Sequence, residues 1–566
     1  MPIQLCELRR RLMATTGPLL VRGGAGSGKT TIALAKASQD LAQGRLGRDG
    51  IALFLSFARA TVARVAEQAT AMIDAATRRR IEINTYHGFA WNVLRSHGYL
   101  LCRQPGVSLL LPAQARARLA GLNGAARFAR QRALFDDEGL VSFDLFPTLL
   151  CELFDQAPQL AQAYGHSYPL IMVDEFQDTN ALEWSMIQML GRQSTVIALG
   201  DPKQRIYDFK GADPRRFDEF IATFRPTVFD FARENRRSAG TGITGFADAM
   251  IAGNFQPQPY VGVTIGTYAG QGLRPLKQSI LQAAARLRRT QEWSLAVLVP
   301  ANVLAVAVYD YMRQAIHGLP AYPVEILVAS EGPALAGHLV ALLLEPCTEE
   351  LGALVLEGIA AFELGRSEHA SQAALTAADR YNRLAVRVRA EGAPALQTTV
   401  VGRAVAVLLE QREAMELSGD PVADWRAVRG LLDFSGRSEI QAVGKDARHM
   451  RLLRRGAQIE ARLADAWRQS GCYRDARGLL ASALVEDQFS ATTRPQVGVT
   501  VMTIHKAKGK EFDEVIVFES PYQRFLQRED DEGRRSARFN LHVAATRARR
   551  QVHFMTPAAA PSPILP

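Results

Sequence analysis

Several short apolar runs in this chain stop abruptly at polar residues. Leu19–Val21 runs into a glycine-rich stretch, Leu170–Val173 into Asp174-Glu175, and Val196–Leu199 into Gly200-Asp201-Pro202. Unbroken apolar runs of this length predict short buried strands. Lys29-Thr30-Thr31 then open an Ala-rich segment that Gly44 can close, so a helix is expected directly after the first strand. The region from about Glu349 to Thr492 is rich in Ala, Arg and Leu and predicts a mainly helical insertion. Within it, "ARHMRLLRRGAQIEARLADAWRQS" reads as a basic helical stretch, open to duplex DNA contact or to a solvated role. The closing "TPAAAPSPILP" is Pro/Ala-rich and predicts a flexible tail.

Composition narrows the class. The chain has 566 residues, beyond one ordinary hydrophobic core, so several packing units are expected. Apolar content of 48% with 22% charged residues marks a folded chain, not a disordered one. The net charge of +10 leans toward a polyanionic partner without establishing one. The cysteines at 6, 102, 151, 347 and 472 show no CxxC spacing, which argues against zinc or iron–sulfur sites and fits a reducing, cytoplasmic setting. The N-terminus lacks a signal-peptide pattern, and the apolar run "HLVALLLEP" is too short to span a bilayer, so no membrane partner is expected.

The first run carries chemistry. "GGAGSGKT", Gly23 to Thr30, satisfies G-x-x-x-x-G-K-[ST] between strand and helix. Glycines such as Gly26 and Gly28 let backbone amides turn toward a phosphate, and the helix opening at Lys29, Thr30 and Thr31 adds its N-terminal dipole. Lys29 supplies charge to the β and γ phosphates of ATP, and the Thr30 hydroxyl can ligate Mg²⁺. A phosphate loop of this kind needs a metal-facing acid at the end of another strand. Asp174 is placed to hold Mg²⁺, and Glu175 to orient or deprotonate the attacking water. Gln204 follows the third run and can bond a γ-phosphate oxygen and a neighbouring side chain. Tyr207 and Phe209 lie two apart and can share one side of an extended segment.

Further blocks recur in order: "INTYHGFAWNVL", "VDEFQDTN", "GDPKQRIYDFKGAD", "ENRRS", "VMTIHKAKGKEFDEVIVFE" and "VAATRARR". Together with "GGAGSGKT", this series resembles the superfamily 1 DNA helicases of the UvrD/Rep/PcrA type. The resemblance implies an α/β fold with two RecA-like P-loop motor domains, built on parallel sheets and carrying helical accessory insertions. It divides the chain into a first motor domain at 1–93 and 151–237, interrupted by a small helical insertion at 94–150. A second motor domain takes 238–348 and 493–555, interrupted by the helical insertion at 349–492, and 556–566 form the tail.

The same resemblance implies roles. Arg237 and Arg547 would reach the γ phosphate from the second-domain side or its border, and Glu511 would contact the ribose. Thr85, His87 and Thr503 would hold the single-strand backbone, and His505 would link that contact to the ATP cleft. Phe209 and Phe57 match positions where rings lie against bases, a sequence-tolerant contact of ~1–3 kcal/mol per base. The pattern also departs from the family. Leu8 falls near the place of the adenine-reading Gln, and Arg236 replaces the base-stacking Tyr, although a guanidinium can also stack. Lys210 replaces Arg and Lys510 replaces Leu. "SFARATVARV" keeps Phe57 but not the usual Asn and Lys. The expected function is ATP-dependent translocation on single-stranded DNA, 3′ to 5′, with duplex separation at single/double-strand junctions. The alternative is a DNA-stimulated ATPase subunit that senses DNA ends or single strands for a partner nuclease or repair protein.

Overall fold

The computed structural model describes residues 6–566 except 25, 57–58, 205–212, 214, 232–236, 290–291, 328–330, 367–369, 449, 451–457 and 490–496. Among the described residues fourteen strands are formed. In chain order they are β1 (Leu19–Arg22), β2 (Ala52–Ser56), β3 (Ile81–Thr85), β4 (Ser108–Leu110), β5 (Leu140–Ser142), β6 (Leu170–Val173) and β7 (Thr195–Gly200). They continue as β8 (Thr227–Asp230), β9 (Val263–Tyr268), β10 (Ser294–Val299), β11 (Glu325–Leu327), β12 (Gly498–Thr503), β13 (Phe512–Phe518) and β14 (Ala548–Pro557). Two six-stranded sheets result, ordered β3-β2-β6-β7-β1-β8 and β11-β12-β10-β13-β14-β9, and every pairing in them is parallel.

The apolar runs are continuous because both faces of each sheet are covered. Along β10, Leu295, Val297 and Val299 enter one core with Val499, Val501, Ile516 and Phe518. The alternate residues Ala296 and Leu298 enter the opposite core with Met502, Val515, Val517 and Phe554. A strand has period two, so burying both sides removes any polar alternation. In the first sheet Phe54, Met172 and Ile197 share one core, while their neighbours Leu53, Leu55, Ile171 and Val173 are equally buried. Each such side chain contributes about 1.5–3 kcal/mol by leaving water. These are two RecA-like parallel sheets with helices around them.

The chain divides into two compact units. Residues 1–91, 150–328 and 491–566 make the unit that holds both sheets, and 92–149 with 329–490 make a second unit. Among its described residues the second unit has no strands beyond the β4-β5 pair and is otherwise built of helices and their connections. Its core gathers Leu339 and Leu343 with Leu356, Ile359, Leu384, Trp425 and Ile440. Buried Arg412 donates to the Leu343 and Leu344 carbonyls, satisfying the end of helix Glu331–Leu344. Asp424 accepts from the Ser418 hydroxyl at 2.8 Å, the Gly419 amide at 2.8 Å and the Tyr473 hydroxyl at 2.6 Å.

Two differences from the sequence-based division have physical causes. Helix Glu331–Leu344 packs into the helical core rather than onto the second sheet, so the helical unit starts at 329 and not at 349. The C-terminal segment does not hang free: Ile564 is buried in the core of the second sheet, and the Ser562 amide donates to Thr556 Oγ1 at 2.9 Å. Among the described residues no helix is long and apolar enough to cross a membrane.

Candidate nucleotide site

The glycine-rich loop leaves β1 and enters the helix Lys29–Ala42. Gly26 and Gly28 hold φ of 74° and 81°, a left-handed conformation that glycine adopts without steric cost. The Lys29 ammonium reaches back to the Gly23 and Gly24 carbonyls at 2.5 and 3.1 Å, and Thr31 follows in the first helical turn. Beneath the loop, buried Arg9 donates to the Ser27 carbonyl at 2.9 Å and lies over the Phe231 ring. Leu8 packs against the core of the first sheet.

β6 delivers the acids. Asp174 is buried, and the Thr30 hydroxyl donates to its Oδ2 at 3.3 Å. Burial first, and then the Glu175 charge, push the Asp174 carboxyl above the ordinary carboxylate range, against the pull of Lys29 and Arg64. A hydroxyl beside an under-compensated buried carboxylate is the donor set a Mg²⁺ ion accepts, with its remaining positions left to water and phosphate oxygens. Glu175 sits at φ 53° and ψ 38°, the left-handed region, where a glutamate is strained. Its amide donates to Asp174 Oδ1 at 3.0 Å. Burial opposes its charge, but Lys508, Lys29 and the Gln177 hydrogen bond outweigh burial and hold the carboxyl below its usual range.

Gln177 and Asp178 have distinct partners. Gln177 Nε2 donates to Glu175 Oε2 at 2.6 Å, and Gln177 Oε1 accepts the Asp201 amide at 3.0 Å. The residue therefore joins the end of β6 to the end of β7. Asp178 forms a fully buried ion pair with Lys508 from beyond β12. Phe176 anchors the turn between them, with its ring edge-on to Trp184, Phe217 and Phe220. Asn180 and Glu183 then cap the next helix reciprocally, at 2.9 and 3.0 Å.

The segment after β8 and the residue before β14 bring arginines to the same place. Arg237 donates to Glu511 Oε1 at 2.7 Å and to the Thr546 carbonyl at 2.9 Å. Arg547 is buried, donating to the Val543 carbonyl at 3.0 Å and the Thr546 hydroxyl at 3.2 Å. Burial and the nearby Arg237 charge lower Arg547 to about 9, opposed by Glu175 and Glu511. Burial also lowers Arg237. Burial opposes ionisation of Glu511 too, but Arg237 and then Arg64 hold that carboxyl down at about 2.

Of the residues assigned to DNA, Thr85, His87, Thr503 and His505 lie at or just after the ends of β3 and β12. Thr85 ends β3, and its hydroxyl accepts the Gly88 amide at 2.9 Å, with His87 in the first turn of the following helix. Thr503 ends β12, with His505 exposed in the short helix that follows. The backbone of Gln204 lies in the turn Pro202–Gln204. Phe57, Tyr207, Phe209, Lys210 and Arg236 lie outside the described residues. Two participants escaped the sequence reading. Lys508 stands inside a recognised block, and Arg64 is a cation on a helix face otherwise lined by Thr61, Val62, Val65 and Ala69. A charge on a buried stripe was the available signal for Arg64.

Comparison with known proteins agrees with this arrangement. The model of the UvrD/REP helicase N-terminal domain matches residues 7–137 and 123–225, and that of the UvrD-like helicase C-terminal domain matches 498–555. A DNA helicase II of Haemophilus influenzae is 33% identical over 120 residues, 21% of this chain and 16% of that protein. An ATP-dependent DNA helicase PcrA of Staphylococcus aureus is 31% identical over 130 residues, 23% of this chain and 18% of that protein. The PcrA of Leuconostoc citreum is 23% identical over 292 residues, 44% of this chain and 39% of that protein. The chain thus matches well under half the length of each of these relatives. With the family models falling on both sheets, the chain belongs to the UvrD/Rep/PcrA-like superfamily 1 helicase family.

Proposed function

We propose that this chain is an ATP-dependent single-stranded DNA translocase that separates duplex DNA in the 3′ to 5′ direction. The observation that carries the reading is the meeting of Glu175, at the end of β6, with Arg547, which precedes β14 of the other sheet, and with Arg237, which follows β8 and binds Glu511. The Glu175 carboxylate and the Arg547 guanidinium each favour the other's charged form. The relatives named as DNA helicases support the choice of substrate.

In this reading ATP with Mg²⁺ supplies the transferable phosphoryl group and the charge to be neutralised. Lys29 moves from the Gly23 and Gly24 carbonyls to phosphate oxygens, while Thr30 and Asp174 hold the metal. Glu175, charged at neutral pH, accepts a proton from the attacking water, and Gln177 fixes its carboxylate. Arg237 and Arg547 stabilise negative charge at the γ phosphate when the halves close. Thr85, His87, Thr503 and His505 grip the strand backbone from the ends of β3 and β12, with Phe57, Tyr207 and Phe209 against the bases.

The test is strand displacement on duplexes with a single 3′ or 5′ tail. Release of the short strand from the 3′-tailed duplex, dependent on ATP, is the expected result. Displacement from the 5′ tail alone would reverse the direction, and release without ATP would contradict the motor.

A further inference from the structure

Helix Arg59–Met72 of the first half meets the second half through two side chains one turn apart, Thr61 and Arg64. Thr61 is fully buried against Gly509, whose φ is +78°. A Cβ at Gly509 would overlap the Thr61 hydroxyl and lie 3.3 Å from its amide nitrogen, so only glycine allows this approach. Two residues on, Glu511 Oε1 accepts Arg64 Nη1 at 2.8 Å. That oxygen also accepts Arg237 Nη2 at 2.7 Å, and Arg549 reaches Oε2 at 3.4 Å. Arg64 is three-quarters buried, and its Nε–H finds no acceptor among the described residues.

We infer that Arg64 is a positioning residue: it ties the two motor halves together at Glu511 and, by sharing one carboxylate oxygen with Arg237, sets the aim of the Arg237 guanidinium. Two cations on one oxygen repel, so each loosens the other's hold on Glu511. Without Arg64, Arg237 pairs with Glu511 alone, is held more tightly and is less free to meet a phosphate. The halves also lose a cross-cleft contact that closes the site.

This inference rests on the ATPase reading, and the test separates the two. ATP turnover is measured with saturating single-stranded DNA for wild type, Lys29→Ala, Arg64→Ala and Arg64→Lys. Arg64→Ala is expected to lower kcat about tenfold while KM for ATP stays within about threefold, since the phosphate loop is intact. Arg64→Lys keeps the charge without the planar fork and is expected to fall between. Equal kcat in both Arg64 variants and wild type, with Lys29→Ala inactive, overturns the inference and leaves the ATPase standing. A raised KM with unchanged kcat overturns it as well. A wild type no more active than Lys29→Ala overturns the ATPase reading itself. If Arg64→Ala does not fold, Arg64→Lys decides against wild type: a lowered kcat supports the inference, and an unchanged kcat overturns it.

Discussion

Glu175 occupies a backbone conformation that costs a glutamate about 1–3 kcal/mol. Its amide bond to Asp174 and its side-chain bond from Gln177 both involve a charged partner, and such bonds contribute about 1.5–3 kcal/mol each. Together they offset the strain, and the buried Phe176 ring keeps the next residue from relaxing. The strain thus aims a carboxylate that an ordinary strand end would direct elsewhere. Gln177→Ala removes the side-chain bond and the link to the Asp201 amide without changing any charge. Its kcat for ATP is expected to fall about 10- to 100-fold with little change in KM, as for other supporting residues around reactive groups. An unchanged kcat would show that Glu175 is held by its backbone alone. Gln177 and Asp178 were visible in sequence as part of the ordered block "VDEFQDTN". Their partners were not, because Asp201 and Lys508 are distant in the chain and no local pattern links them.

At the scale of elements, the polar groups follow the ends of parallel strands. β1 leads to the phosphate loop, β6 to the acids, β7 to the Gln204 turn, and β3 and β12 to the paired Thr-x-His segments. These strands were legible because burial on both faces leaves a uniform apolar run with a sharp polar end. The C-terminal segment was not legible. Pro and Ala predict a flexible tail, but Ile564 finds a place under the second sheet that only the assembled fold creates. Helix Glu331–Leu344 was misplaced for a similar reason: its sequence is apolar nearly all round and does not state which core it joins. Ile564→Ala should cost about 2 kcal/mol by leaving a cavity. A lowered apparent Tm in a thermal melt is the expected result. An unaltered melt would mean that the segment does not pack.

Across the whole molecule, the two sheets are joined at the site by charges. Asp178 pairs with Lys508 in full burial, Arg64 with Glu511, and Lys203 with Asp248 at 3.0 Å. Of these, the exposed Lys203–Asp248 pair contributes least, since water and salt screen it. The buried pair matters most, because removing either partner strands a charge at a cost of about 3–5 kcal/mol. The Lys508 charge acts on Glu175 together with that of Lys29, so in the proposed reading a change in charge at the nucleotide bears on the pair that holds the halves together. In the proposed reading, that contact is the physical basis for coupling ATP turnover to movement along a strand. The most direct test is ATP turnover by wild type and Glu175→Gln, each with and without single-stranded DNA. A DNA-coupled motor predicts wild-type turnover that rises several-fold with DNA, and a Glu175→Gln variant that binds ATP but stalls in both conditions. Wild-type-like, DNA-stimulated turnover in Glu175→Gln, or wild-type turnover indifferent to DNA, would contradict it.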